Sequence, residues 1–229
     1  QTPTGMDLAV WSFHLLFIFI IAYFFWKRDK GIARSWYWPA FILKLAGGIA
    51  IGLLYTYYYQ GDTFHYYRDA LKLSALAEDQ TGLYWKVLMS RDLKAFDLNL
   101  YNQGARALFM VKCVSIVTLV TYHNYWITSL YFSLVSFFGT WKLVNVLIQF
   151  FPANRFTAIF SFLLLPSVVL WSSGIIKESL SMAAICWLTA IFISIYKGYK
   201  VTVWEFVLSV FYLWILWKLK YYYAGILLP

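Results

Sequence analysis

Long apolar runs separated by short polar intervals dominate the chain, at 8–26, 37–58, 107–121, 125–149, 156–173, 176–196 and 203–219, with a further one beginning near 221. A bilayer's hydrocarbon core takes about 20 apolar residues as a helix, so these runs read as membrane spans. The only long polar interval is 59–105. Inside it, Asp69 to Ala77 and Leu83 to Lys94 keep helical spacing, with Leu83, Val87 and Leu88 between Lys86, Arg91 and Lys94. Tyr84 and Trp85 suit a membrane–water boundary, which predicts short helices lying along the surface. The fold class expected is all-α: a polytopic transmembrane helix bundle, one domain over 1–229, with a long extracytoplasmic loop of interfacial amphipathic helices.

Composition agrees with the pattern. The 229 residues are 62% hydrophobic, 22% aromatic and 13% charged, and the mean hydropathy is +0.65; a soluble domain carries about a quarter of its residues as charges. The net charge of +9 comes from lysines and arginines clustered between apolar runs, where they orient spans and meet lipid headgroups. Membrane lipids are therefore the expected partners, and nucleic acid is not. Cys113 and Cys186 lie within apolar runs without metal-ligand spacing and read as packing residues.

The first run is too long for a signal core and is followed by Lys27-Arg28-Asp29-Lys30, so it is expected to stay as a span. Gln1 to Gly5 reads as a leader ahead of a start at Met6, and Tyr221 to Pro229 as the opening of another apolar segment; the expectation is the N-terminal part of a longer chain. Lys27, Arg28, Lys30 and Arg34 mark the first connection as cytoplasmic, placing 59–105 outside. Beyond it two counts compete. Taking 107–121 and 125–149 as two full spans, which the length of 125–149 favours, leaves Arg155, Lys197 and Lys200 outside. Taking 107–121 as a partial or re-entrant helix returns those residues to the cytoplasm and puts Lys177 and Glu178 outside with Asp62.

The densest chemistry is Gln60-Gly61-Asp62-Thr63-Phe64-His65-Tyr66-Tyr67-Arg68-Asp69, at the lip of the second span, where ionisable groups are costly unless paired or used. Asp62, His65, Tyr66 and Asp69 fall at i, i+3, i+4 and i+7, one face of a helix. On the functional reading Asp62 is a general base, or a carboxylate that polarises an acceptor hydroxyl, with His65 and Arg68 near a phosphate leaving group. On the plainer reading Asp62 or Thr63 caps a helix and Asp69 pairs with Lys72 or Arg68.

This segment resembles the GT-C class of membrane glycosyltransferases and the related Wzy-like polysaccharide polymerases, in which an acidic residue follows an early span at the start of a large extracytoplasmic loop. Gly61-Asp62-Thr63-x-x-Tyr66 and Asp69-Ala70 carry the likeness, which extends over roughly 37–196. It implies that Asp62 corresponds to the catalytic acid.

The second cluster is Pro166-Ser167-Val168-Val169-Leu170-Trp171-Ser172-Ser173-Gly174-Ile175-Ile176-Lys177-Glu178-Ser179. Pro166 breaks one helix and Ser172-Ser173-Gly174 turn into the next. Lys177 and Glu178 then stand at a helix N-terminus, whose free N–H groups suit a phosphate. The stretch is similar to the Pro-Ser-x-x-x-Trp-x-Ser-Gly-x-x-Lys-Glu segment of bacterial envelope-polysaccharide membrane proteins; an ordinary helical hairpin with a snorkelling lysine is the alternative.

Gly48 and Gly52 form a GxxxG contact, within the chain or with a membrane-protein partner. Lys112 and Arg106 suit lipid phosphates or snorkelling, and His14 reads as a satisfied buried or interfacial histidine. The crowded tyrosines at 55–59 and 221–223 read as interfacial belts, with Tyr66 and Tyr67 better placed for stacking on a sugar.

The expected function is an integral membrane glycosyltransferase, in the bacterial inner membrane, moving a polyprenyl-phosphate-linked sugar in cell-envelope glycan assembly. Asp62, His65 and Glu178 are the candidate catalytic residues, and Tyr66, Tyr67, Arg68, Asp69 and Lys177 the candidate substrate contacts. No cofactor is required by the pattern. A divalent cation shared by Asp62 and Glu178 is an option for which two carboxylates are too few ligands. The rivals are a non-catalytic subunit of a larger membrane assembly and a transporter of a lipid-linked substrate.

Overall fold

The computed structural model describes residues 5–59, 61–90, 96, 98–102 and 104–227, with backbone alone for 5–7, 62, 226 and 227. All regular structure among them is helical: α1 (Gly5–Arg28), a 3-10 turn (Ile32–Trp36), α2 (Tyr37–Tyr57), α3 (Asp62–Asp79), α4 (Thr81–Met89), α5 (Ala105–Val120), α6 (Tyr125–Phe150), α7 (Arg155–Ile159), α8 (Pro166–Trp171), α9 (Lys177–Tyr196) and α10 (Val203–Leu227). Four segments are long and apolar enough to cross a membrane: Leu8–Arg28, Ile32–Tyr57, Tyr125–Phe150 and Lys177–Tyr196.

α6 is the hub. Two-thirds (67%) of its apolar window is buried, against 17% for α1 at the periphery. Small residues let neighbouring backbones approach it, because a Cβ at the contact would hold the helices apart. A Cβ on Gly139 would lie 2.6 Å from Ala183 Cα of α9, one on Gly48 2.2 Å from Ser133 Oγ, and one on Gly52 2.8 Å from the Trp126 ring. The Gly48/Gly52 face therefore packs on α6 of the same chain.

Two ends of the bundle are defined by their contacts. At the basic end, Asp29 accepts hydrogen bonds from Gly31 N (2.7 Å), Trp141 Nε1 (2.7 Å) and Asn145 Nδ2 (3.2 Å), tying the 27–34 connection to the C-terminal half of α6. Lys197 reaches the Phe151 ring at 5.4 Å and Tyr199 meets Phe150, so the α9–α10 connection lies there too. At the other, tyrosine end, the start of α6 meets α3 through Tyr125 Oη and Thr63 Oγ1 at 3.0 Å. Lys220 of α10 and Glu178 of α9 pair there at 2.9 Å.

The 107–121 run, one of the expected spans, forms α5, and both of its ends lie at the tyrosine end. Arg106 sits 5.1 Å from the Tyr221 ring, while the connection after Val120 carries His123, whose carbonyl accepts from Tyr67 Oη of α3. The 16 residues of α5 span about 24 Å, less than a bilayer core of about 30 Å. Lys112, on α5, donates to the Leu88 carbonyl at 3.2 Å and the Ser90 carbonyl at 2.5 Å, and Ser115 bonds Tyr84 Oη at 3.1 Å. These bonds lace α5 to α4, and α3 packs along the same helix, with Leu73, Val111, Val114, Ile175 and Leu216 in one buried cluster. Asn124 accepts from Ile127 N at 3.1 Å and caps α6 after the tight reversal at Tyr122 and His123.

The 156–173 run, also expected as one span, is broken three ways. After α7 comes a π turn at Phe160–Leu164, then α8, opened by Pro166 at its first position, where the missing N–H costs no helical bond. Residues 172–176 are non-helical and buried. Their polar groups are met by protein, as irregular backbone at membrane depth requires. Gly174 N donates to Ser133 Oγ at 2.9 Å, Ser173 Oγ to the Val169 carbonyl at 2.6 Å and Ser173 N to the Leu170 carbonyl at 3.1 Å.

Candidate functional site

Tyr55 and Thr56, in the last turn of α2, together with Gly61, Phe64, His65 and Arg68 line a half-open cavity of about 520 Å³ at the tyrosine end. α3 begins at Asp62 with Gly61, in extended backbone, at its N-cap position, and no side chain caps it there. Thr63, fully buried, is turned instead to Tyr125. That bond and the stacking of Phe64 on Tyr125 (centroids 4.8 Å apart) fix the first turn of α3 against α6 and open its other side to the cavity. Asp62 opens α3 directly after the lining residue Gly61; its side chain lies outside the described residues.

The remaining sequence candidates separate into distinct groups. His65 and Arg68 line the cavity, Arg68 as an exposed guanidinium and His65 half-buried with its ring 4.0 Å from that of Tyr101. Tyr66 is buried beneath the Lys177 ammonium, 5.1 Å from its ring. This contact joins the two sequence clusters, 111 positions apart by subtraction of their numbers, at one end of the bundle. A cation over an aromatic face is worth about 0.5–2 kcal/mol, depending on its desolvation. Glu178 is exposed and paired with Lys220. Tyr67 and Asp69 serve the fold: Tyr67 Oη donates to the His123 carbonyl, and burial pushes its phenol up to about 12, keeping it a donor.

Asp69 is 1% exposed. Its carboxylate accepts from Tyr101 N (3.1 Å), Asn102 N (2.8 Å) and Asn102 Nδ2 (2.8 Å), with Lys72 at 4.0 Å. Three N–H donors replace the water that the charge gives up on burial, and the segment after Leu100 is thereby fixed beside α3. Among the described residues, no group of three or more His, Cys, Asp and Glu is placed to hold a metal ion.

Lys44 was missing from the sequence candidates. It lies in α2, 4% exposed, and its ammonium donates to Ser172 Oγ at the start of the non-helical stretch. No ion pair to it exists among the described residues. The signal was available, since a lone lysine within the 37–58 apolar run marks a function or a polar contact by default. His14, by contrast, is tied through Nδ1 to Tyr131 Oη at 2.9 Å, and its Nε2 has no hydrogen-bond partner among the described residues.

Chemically, the cavity offers an aromatic wall, an imidazole and a guanidinium at the end of α2. That combination suits a ligand with an anionic group and a flat, partly apolar body. Comparison with protein-family models, with curated proteins and with solved structures finds no match to the chain.

Proposed function

We propose that the chain is an integral membrane glycosyltransferase that draws a sugar from a polyprenyl-phosphate-linked donor for cell-envelope glycan assembly, acting on the outer side of a bacterial inner membrane. The observation that carries this reading is the cavity of about 520 Å³ between the end of α2 and the first turns of α3. A lipid-borne substrate reaches such a site along the bilayer, and the donor phosphate meets cations where the span ends. Asp62, the residue after Gly61 of the cavity lining, deprotonates or orients the acceptor hydroxyl. Arg68 offsets the charge on the departing lipid phosphate, and Lys177, held on the Tyr66 ring, is the weaker candidate for that role. His65 holds the hydrogen-bond network between them, and Glu178 acts through Lys220, keeping that ammonium oriented. The short connections at the basic end, with Lys27, Arg28, Lys30, Arg34, Arg155, Lys197 and Lys200, favour the cytoplasm for that end and the outside for the cavity.

The test is replacement of the gene by Asp62→Asn and Arg68→Ala variants in cells that make the glycan, with membrane levels of the protein followed by immunoblot. Loss of the glycan at normal protein level is the expected outcome for Asp62→Asn, and at least a tenfold fall for Arg68→Ala. Wild-type glycan from both variants would leave the chain as a non-catalytic subunit. A transporter reading draws on one specific feature, the buried break at 172–176 with Lys44 bonded to it. It requires that Lys44→Met abolish glycan export while Asp62→Asn does not.

A further inference from the structure

Tyr101 is the most exposed aromatic tied to the cavity wall, 70% of it accessible. Exposed tyrosines are ordinary at a membrane boundary, and Tyr57, Tyr58 and Tyr59 nearby are 76%, 80% and 58% exposed. Tyr101 differs from a belt residue in being fixed at both ends. One ring face lies on His65 at a centroid distance of 4.0 Å and an interplanar angle of 13°, and His65 lines the cavity. Its backbone N–H donates to Asp69 Oδ1 at 3.1 Å, and the next residue gives that carboxylate two more hydrogen bonds. The Lys72 ammonium binds the Asn99 carbonyl on the other side of the same segment. A buried carboxylate spent on three N–H groups of a segment outside the helices holds one exposed ring in place before any ligand arrives, and pre-organisation of that kind lowers the entropic cost of binding.

We propose that Tyr101 is a stacking platform for a pyranose ring of the glycan substrate, with Asp69 as its positioning residue, an assignment that rests on the glycosyltransferase reading above. With one face on the imidazole, the outer face of the phenol is open. The negative π-face of an aromatic ring attracts the electropositive C–H edge that a pyranose presents on its flatter side. The stack runs from the cavity through His65 to Tyr101, so a sugar on the outer face is the next residue along from one bound at Arg68 and His65. Tyr66 and Tyr67, the sequence candidates for this role, are unsuited to it: Tyr66 is 2% exposed beneath Lys177, and the Tyr67 hydroxyl is committed to His123.

The experiment compares Tyr101→Ala, Tyr101→Phe, Tyr101→Trp, Asp69→Asn and the double variant Asp69→Asn/Tyr101→Ala with wild type and Asp62→Asn, all in the full chain. Glycan output per unit of membrane-inserted protein is measured in cells, and thermal unfolding of each purified variant in nanodiscs. Loss of one stacking contact corresponds to about a two- to tenfold effect. Tyr101→Ala is expected to fall by that factor with an unchanged melting temperature, while the Phe and Trp variants stay within twofold of wild type. If Asp69 acts through Tyr101, its substitution in the Tyr101→Ala background causes no further loss of output, whereas a purely structural role would add its full cost. Wild-type output from Tyr101→Ala beside loss of the glycan in Asp62→Asn overturns the platform alone. Unchanged glycan in both overturns the glycosyltransferase reading and the platform with it.

Discussion

Gly174 occupies the left-handed region at φ +75°, and a Cβ there would sit 2.5 Å from Ile51 Cγ2 and 3.0 Å from Ser129 Oγ. Gly198, in the α9–α10 connection, has a similar φ of +79° but open space around it. Alanine at Gly198 meets backbone strain alone, about 1–2 kcal/mol, whereas alanine at Gly174 adds a clash inside the bundle. Thermal unfolding in nanodiscs is expected to show Gly174→Ala well below Gly198→Ala in melting temperature; equal values would contradict the packing of the break against α2 and α6. Lys44 yields the opposite expectation. Its amine is buried with one hydroxyl partner among the described residues, and a buried polar group so little compensated is replaced by an apolar side chain of similar volume at small cost or with a gain. Lys44→Met should therefore unfold at or above the wild-type temperature, and a fall of more than about 5 °C would show that the charge holds the break together. At this scale the sequence was informative where chemistry is local. His65 and Arg68 stand out at the polar exit of a span, and both line the cavity. Tyr55, Thr56 and Tyr101 join the site through the packing of α2 and the 98–102 segment on α3, which residue spacing does not encode.

Element lengths were legible where an apolar run matches a bilayer. The runs at 8–26, 37–58, 125–149 and 176–196 correspond to the four helices long and apolar enough to cross one. Two helices occur in 59–105, α3 and α4, with α3 starting seven residues earlier than its apolar spacing indicates, at Asp62 instead of Asp69. Leu93 and Lys94, at the end of the second expected helix, lie outside the described residues. The 107–121 run left two readings open because fifteen or so apolar residues satisfy a short span and a partial helix equally well; the hydrogen bonds of Lys112 to α4 are a tertiary fact. The break in 156–173 was announced by Pro166 and Gly174, but the π turn before it carries no sequence signal. The geometry of α5 makes a direct prediction. In a chain with Cys113 and Cys186 replaced by serine, single cysteines at Ala105 and Tyr122 should both react with a membrane-impermeant thiol reagent from the same side, and cysteines at Arg155 and Lys197 from the other. Labelling of 105 and 122 from opposite sides would make α5 a span.

For the molecule as a whole, large apolar side chains of α1 and α10 face outward, among them Phe13, Leu16, Ile20, Phe206, Val207, Phe211 and Trp217. Burying that much apolar surface in lipid is the simplest account of such an exterior. The proposed site sits where this apolar body ends, and its parts come from separate stretches of chain: the exit of α2, the start of α3 and the 98–102 segment that stacks on His65. The central claim is that this junction transfers sugar from a lipid phosphate. The most direct measurement is transfer of radiolabelled sugar by the purified protein in nanodiscs, supplied with a panel of polyprenyl-phosphate-linked sugars and with envelope glycan as acceptor. The account predicts label in the glycan with wild type and background label with Asp62→Asn at equal protein and equal melting temperature. Transfer by Asp62→Asn at the wild-type rate would contradict it.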